Sequence, residues 1–120
     1  MKRIRAAAAA VAFAAGIAVS PGPASAEFFG WQVAGVSSDD VLMVRAFPAA
    51  GSRILVGYPN ATPLSLTGRC TGLDLNQING WPAAQQAEAV RTRWCEVWVD
   101  PIATGDFQSG WVFGRYIRPL

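Results

Sequence analysis

From Trp94 to Val99 the chain alternates in period two. Cys95, Val97 and Val99 fall on one face, and Trp94, Glu96 and Trp98 fall on the other. A strand with one buried face requires that pattern. Val41 to Phe47 repeats it, with Leu42 and Val44 on one side and Met43 and Arg45 on the other. So does the run from Gly110 to Ile117, where Trp111 and Phe113 share a face while Val112 points inward with Ile117 nearby. Arg53 to Tyr58 is rich in strand-forming residues, Leu64 and Leu66 alternate toward Cys70, and Trp31-Gln32-Val33 opens a further strand. Ser37-Ser38-Asp39-Asp40 and Pro59-Asn60-Ala61 read as turns, and Asp100 to Ser109 as a hairpin loop turning near Thr104-Gly105-Asp106. Strand, turn and strand at this spacing predict an all-β domain of about five strands, closed as a small barrel.

One segment breaks the alternation. Between Cys70 and Arg93 the chain is polar and irregular, then runs Trp81-Pro82-Ala83-Ala84-Gln85-Gln86-Ala87-Glu88-Ala89-Val90. Proline suits the first turn of a helix, and the residues after it are good helix formers. A helix of two to three turns is expected inside an insertion spanning 71–93, with Ala83, Ala87 and Val90 facing inward beside Trp81. Its thin apolar face favours packing on the barrel over service as a separate recognition helix.

The first 26 residues follow other rules. Lys2, Arg3 and Arg5 precede an apolar block from Ala6 to Val19, Pro21 and Pro23 interrupt it, and Ala24-Ser25-Ala26 has the form of a cleavage site. The block is shorter than the roughly 18–20 residues that span a bilayer. The expected reading is a signal peptide over 1–26 that is removed on export. A buried N-terminal helix or an uncleaved anchor is the alternative. Cleavage leaves one domain, 27–120, with no stable membrane anchor and a periplasmic or secreted location.

Cleavage also changes the charge. The whole chain carries +2, but residues 27–120 hold seven arginines against eight acids, a net −1. Nucleic-acid binding requires a basic stripe that displaces counterions. None survives, so nucleic acid is not an expected partner. Cys70 and Cys95 are the only cysteines. In an exported chain an even pair most simply forms a disulfide. A two-cysteine metal site or a redox pair is the weaker alternative, because the chain has no His and no C-x-x-C spacing.

The order Leu42-x-Val44-Arg45, Pro48, Ile54-Leu55, Trp94-x-x-Val97 and Gly110-Trp111-Val112-x-x-x-Tyr116 resembles the bacterial SH3-like (SH3b) family over roughly Val33 to Leu120. The resemblance implies a small SH3-like β-barrel and a binding module. It also implies pairing of Cys70 with Cys95, since family members with a Cys beside this Trp commonly bond it to the preceding strand. Trp94 falls at the family's groove Trp and Tyr116 at its closing Tyr. The chain departs from the pattern at Met43 (usually Asn), Phe47 (usually small), Phe113 (usually small or polar) and in the long 71–93 loop. Ala61 stands where a turn Gly is common, so Asn60 is expected to take the left-handed conformation instead.

Strand alternation adds Trp98 and Phe113 to the implied groove residues. A row formed by Trp94, Trp98, Phe113 and Tyr116 would suit extended peptides or sugar faces stacked on rings. Equally, these rings could cover a small core. Arg45 reads as a solvated or ion-paired outer-face residue. Without His, and with both cysteines spent, Ser-His-Asp, Cys-His and zinc chemistries are excluded. No phosphate-binding glycine loop or EF-hand is present. Glu96, between two tryptophans, is the one acid in a suggestive setting for glycoside hydrolysis, which needs two carboxylates. The expectation is therefore a non-catalytic module without cofactor or metal that recognises a cell-wall peptide or glycan. The alternative is an envelope interaction subunit or inhibitor that docks a protein through 71–93.

Overall fold

The structure is a computed structural model and describes residues 29–99 and 108–120. The segment expected to be a signal peptide, 1–26, and residues 100–107 of the expected hairpin loop lie outside the described residues.

Eight antiparallel strands form one sheet: β1 (Phe29–Val33), β2 (Leu42–Arg45), β3 (Ile54–Tyr58), β4 (Pro63–Cys70), β5 (Leu73–Asp74), β6 (Trp94–Val99), β7 (Gln108–Phe113) and β8 (Ile117–Pro119). Their order is β3-β2-β7-β6-β4-β1-β8, with β5 paired to β4. Against the expected barrel of about five strands, six of these match segments that the sequence marks as strands, and the two short ones, β5 and β8, are too brief to show a period.

The inward positions are those the pattern singles out. Leu42, Val44, Leu64, Leu66, Cys95, Val97, Val99, Val112 and Ile117 are buried, and they form one cluster with Trp31 and Val33. Residues from strands far apart in the sheet order thus meet around a single core. Gly110 permits the approach of β2 to β7, where a Cβ would stand 2.5 Å from Val44 Cγ1 and 3.1 Å from the Arg45 carbonyl oxygen.

Cys70 and Cys95 are bonded, facing each other across β4 and β6 with Cα atoms 4.0 Å apart. The bond closes the base of the insertion. Inside it, β5 leads into a 3-10 turn, Leu75–Ile78, opened by a capping box: Asp74 Oδ1 accepts from the Asn76 N–H, and the Gln77 side chain accepts from the Asp74 N–H. Helix α1 follows at Ala83–Val90. Leu75, Ile78 and Val90 are buried in the main core, each contributing about 1.5–3 kcal/mol by burial. The expected inward face of α1 holds at Val90 but shifts elsewhere: Ala83 is exposed and Trp81 is 48% exposed. The helix begins only after Pro82, which has an extended backbone and leaves Trp81 outside the packed turn.

The turn after β3 departs from expectation in one residue. Ala61, not Asn60, takes the left-handed conformation, with φ +70°. Asn60 is otherwise employed. Its side chain accepts from the Val36 N–H at 3.0 Å and donates to the Val36 carbonyl, tying the β3–β4 turn to the β1–β2 loop. The Ala61 N–H donates to the Val33 carbonyl at 2.8 Å, which holds the strained residue in place.

Candidate functional site

The aromatic side chains emerge where β6 begins and β7 ends. In the β6–β7 register Trp94 faces Phe113, Glu96 faces Trp111 and Trp98 faces Ser109, all on the outer side. A 3-10 turn, Gly114–Tyr116, then carries Tyr116 back beside Phe113. Ring centroids are 5.3 Å apart for Trp94–Phe113 and 6.5 Å for Phe113–Tyr116, tilted at 58° and 56°. Those separations lie within the range of favourable tilted aromatic pairs.

Together the three rings line an open groove of about 640 Å³. The β1–β2 loop contributes Val36, Ser37 and Asp40 to the opposite wall, and β2 contributes Met43 and Arg45. Arg115 stands at the Tyr116 end. Two ties, one between backbones and one from a side chain, hold the groove walls. The Ala34 N–H donates to the Tyr116 carbonyl at 2.8 Å, and Asn60 holds Val36 as described above.

The insertion holds the groove from behind. The Thr71 N–H donates to the Trp94 carbonyl at 2.7 Å, and the Trp94 N–H donates to Thr71 Oγ1 at 3.0 Å. The Arg93 guanidinium donates to the carbonyls of Thr71 and Ala89, and the Arg93 carbonyl accepts the Gly114 N–H at 2.7 Å. Gly114 is where helix and turn meet. A Cβ there would collide with the Val90 carbonyl oxygen and lie 2.7 Å from its carbon. The backbone of Trp94 and the turn that carries Tyr116 are therefore both fastened to the 71–93 segment.

Of the four residues the sequence singles out, Trp94, Phe113 and Tyr116 come together in the groove. Trp98 does not line it. It is 41% exposed further along the same outer face of β6. Arg45 is half-buried in the groove wall, where Nη1 donates to the Ser52 carbonyl at 3.0 Å, and it has no ion-pair partner among the described residues. Met43 lies on the outer face that alternation assigns it, beside Arg45, whereas Asp40 and Arg115 line the groove unannounced by alternation, because both come from turns, whose side-chain directions have no period.

Glu96 lies outside the groove, and both its carboxylate oxygens are engaged. Oε1 accepts from Thr67 Oγ1 at 2.9 Å, Oε2 accepts from Ser109 Oγ at 2.9 Å, and Arg69 Nη1 is 3.6 Å from Oε1. The Arg69 guanidinium in turn lies 5.6 Å from the Trp111 ring centre. Glu96 thus links β4, β6 and β7 across the outer face. Arg69 is largely exposed, so its ion pair adds little, and the two hydroxyls provide most of the hold.

Among the described residues there is no group of three or more His, Cys, Asp or Glu side chains placed to bind a metal ion. No helix among them is long and apolar enough to cross a membrane. No family model, no curated protein and no solved structure matches the chain.

Proposed function

We propose that the chain is an exported SH3b-type module that binds a cell-wall peptide or glycan in the groove formed by Trp94, Phe113 and Tyr116. One observation carries the reading: three half-buried aromatic rings from two strands and a turn meet along one open groove. An aromatic-lined channel with polar groups at its margins suits an extended ligand, which lays ring or backbone faces on the aromatic surfaces. The single core that gathers residues from strands far apart in the sheet is what an SH3-like barrel needs. The buried Cys70–Cys95 bond and the apolar block before Ala24-Ser25-Ala26 support export to the periplasm or beyond.

The module is non-catalytic in this reading. The chain has no His, and Glu96, its most suggestive acid, is held by three partners away from the groove. The direct test is co-sedimentation of oxidised protein beginning at Glu27 with purified sacculi. Binding that saturates supports the wall reading. Folded protein that stays in the supernatant at every concentration removes it.

A second reading rests on Trp81. This ring is the large apolar side chain that the insertion leaves exposed, at 48%. It would anchor a protein partner of the envelope. Capture of an envelope protein that is lost in Trp81→Ala, while sacculus binding is unaffected, would favour it.

A further inference from the structure

The aromatic surface of the groove is accompanied by charges that have no ion-pair partner among the described residues. Arg45 and Arg115 both line it, and neither has a carboxylate partner among the described residues. The other half-buried arginine behaves differently. Arg93 donates to two backbone carbonyls inside the insertion. Arg69, at the surface, has Glu96. Arg45 is fixed through one nitrogen by the Ser52 carbonyl, which leaves the rest of its planar fork available. Arg115 is exposed, and its guanidinium has no hydrogen-bond partner among the described residues.

We infer that the ligand carries a free carboxylate and that Arg45 and Arg115 receive it: the groove binds a wall peptide by a carboxyl-bearing end. Two guanidinium groups in one groove repel each other, and an incoming carboxylate relieves this while offering each a charge-assisted hydrogen bond. Asp40 limits the charge that fits. Its Oδ1 accepts the Val41 N–H at 2.8 Å, and its carboxylate leaves the groove with one net positive charge. That balance matches one carboxylate and is poorly suited to a polyanion such as a phosphate polymer. The apolar part of the peptide beside the carboxylate then lies on Phe113 and Tyr116. The inference rests on the groove being the binding surface, and it adds the chemical class of the group recognised there.

The test uses diacetyl-Lys-D-Ala-D-Ala, as the free acid and as its C-terminal amide, titrated calorimetrically into the oxidised protein. Wild type should bind the acid about tenfold more tightly than the amide, the effect of one charge-assisted contact. The preference should shrink as salt rises. It should disappear in Arg115→Gln, return in part in Arg115→Lys, and persist in Arg118→Gln, an exposed arginine on β8 outside the groove. Arg45→Gln should lose it as well. Because that variant also gives up the Ser52 contact, Arg115→Gln is the cleaner arm. Equal affinity for acid and amide, or full preference in both glutamine variants, overturns the inference. If sacculi bind while acid and amide do not differ, the carboxylate assignment falls and the wall module stands. If the acid is preferred but sacculi do not bind, the assignment stands and the wall falls. Folded protein that binds none of the three overturns both.

Discussion

Gly114→Ala should be among the most damaging small substitutions in the chain, although it adds one methyl group and favours ordinary backbone. By chain entropy alone, replacing glycine with alanine at a compatible site stabilises by roughly 0.4–1 kcal/mol. Gly114 is not such a site. Its added Cβ would overlap the Val90 carbonyl oxygen and stand 2.7 Å from Val90 C and 3.0 Å from the Arg93 oxygen. All three are backbone atoms, two at the last residue of α1 and one three residues further on, so no side-chain rotation relieves the contact. Either the helix end or the 3-10 turn must move. Overpacking of this kind costs about 1–3 kcal/mol, and three backbone contacts place the net loss near about 2–3 kcal/mol. For a domain of this size that lowers the melting temperature by roughly 10–20 °C. The assay is thermal unfolding of oxidised protein followed by circular dichroism. Ligand binding should fall too, because the displaced turn carries Tyr116 away from Phe113. A variant that melts at or above the wild-type temperature would refute the claim that the insertion is clamped onto the groove.

Three further outcomes follow from the same contacts. Ala61→Gly should raise stability by about 0.5–1 kcal/mol, since an L-residue at φ +70° is strained and glycine is not; a lower urea midpoint would show that the turn is not left-handed. Cys70→Ser/Cys95→Ser should cost about 3 kcal/mol, from the entropy of a loop closed across 25 positions; a double variant that melts no lower than wild type removes the staple. Glu96→Leu should cost about 1–2 kcal/mol by leaving the Thr67 and Ser109 hydroxyls without their acceptor, with sacculus binding unchanged. Loss of binding in a folded Glu96→Leu protein would instead make Glu96 part of the ligand site.

What the sequence made legible was what has a period. Leu42 and Val44, the alternating residues of β6, and Trp111-Val112-Phe113 take the faces that alternation assigns them, because a buried sheet face enforces period two over the whole strand. Phe113 was readable for the same reason, whereas Trp94 and Tyr116 were singled out by the resemblance to the SH3b pattern, since Tyr116 lies in a 3-10 turn that has no period of two. The insertion was harder. Leu75 and Ile78 sit in a polar stretch and are buried through a single 3-10 turn, too short to show a helical period. The Asp74–Gln77 spacing of a capping box was the available signal. Residue type points to Asn60 for the left-handed position, because Asn tolerates that conformation better than Ala, yet Ala61 takes it. Tertiary bonds from Asn60 to Val36 and from Ala61 to Val33 reverse the preference. Asp40 and Arg115 reached the groove through turns, and the absence of Trp98 from it depends on where the groove ends along β6. Neither is written in a repeat.

The central claim, that Trp94, Phe113 and Tyr116 form the ligand surface, is tested most directly by comparing two tryptophans on the same strand face. Affinity for purified sacculi would be measured for oxidised wild type, Trp94→Ala, Tyr116→Ala and Trp98→Ala, each checked for folding. Trp94→Ala and Tyr116→Ala should each weaken binding by about tenfold or more, as loss of a central aromatic contact does, while Trp98→Ala stays within about twofold. Equal loss in Trp98→Ala, or unchanged binding in folded Trp94→Ala and Tyr116→Ala, would contradict it.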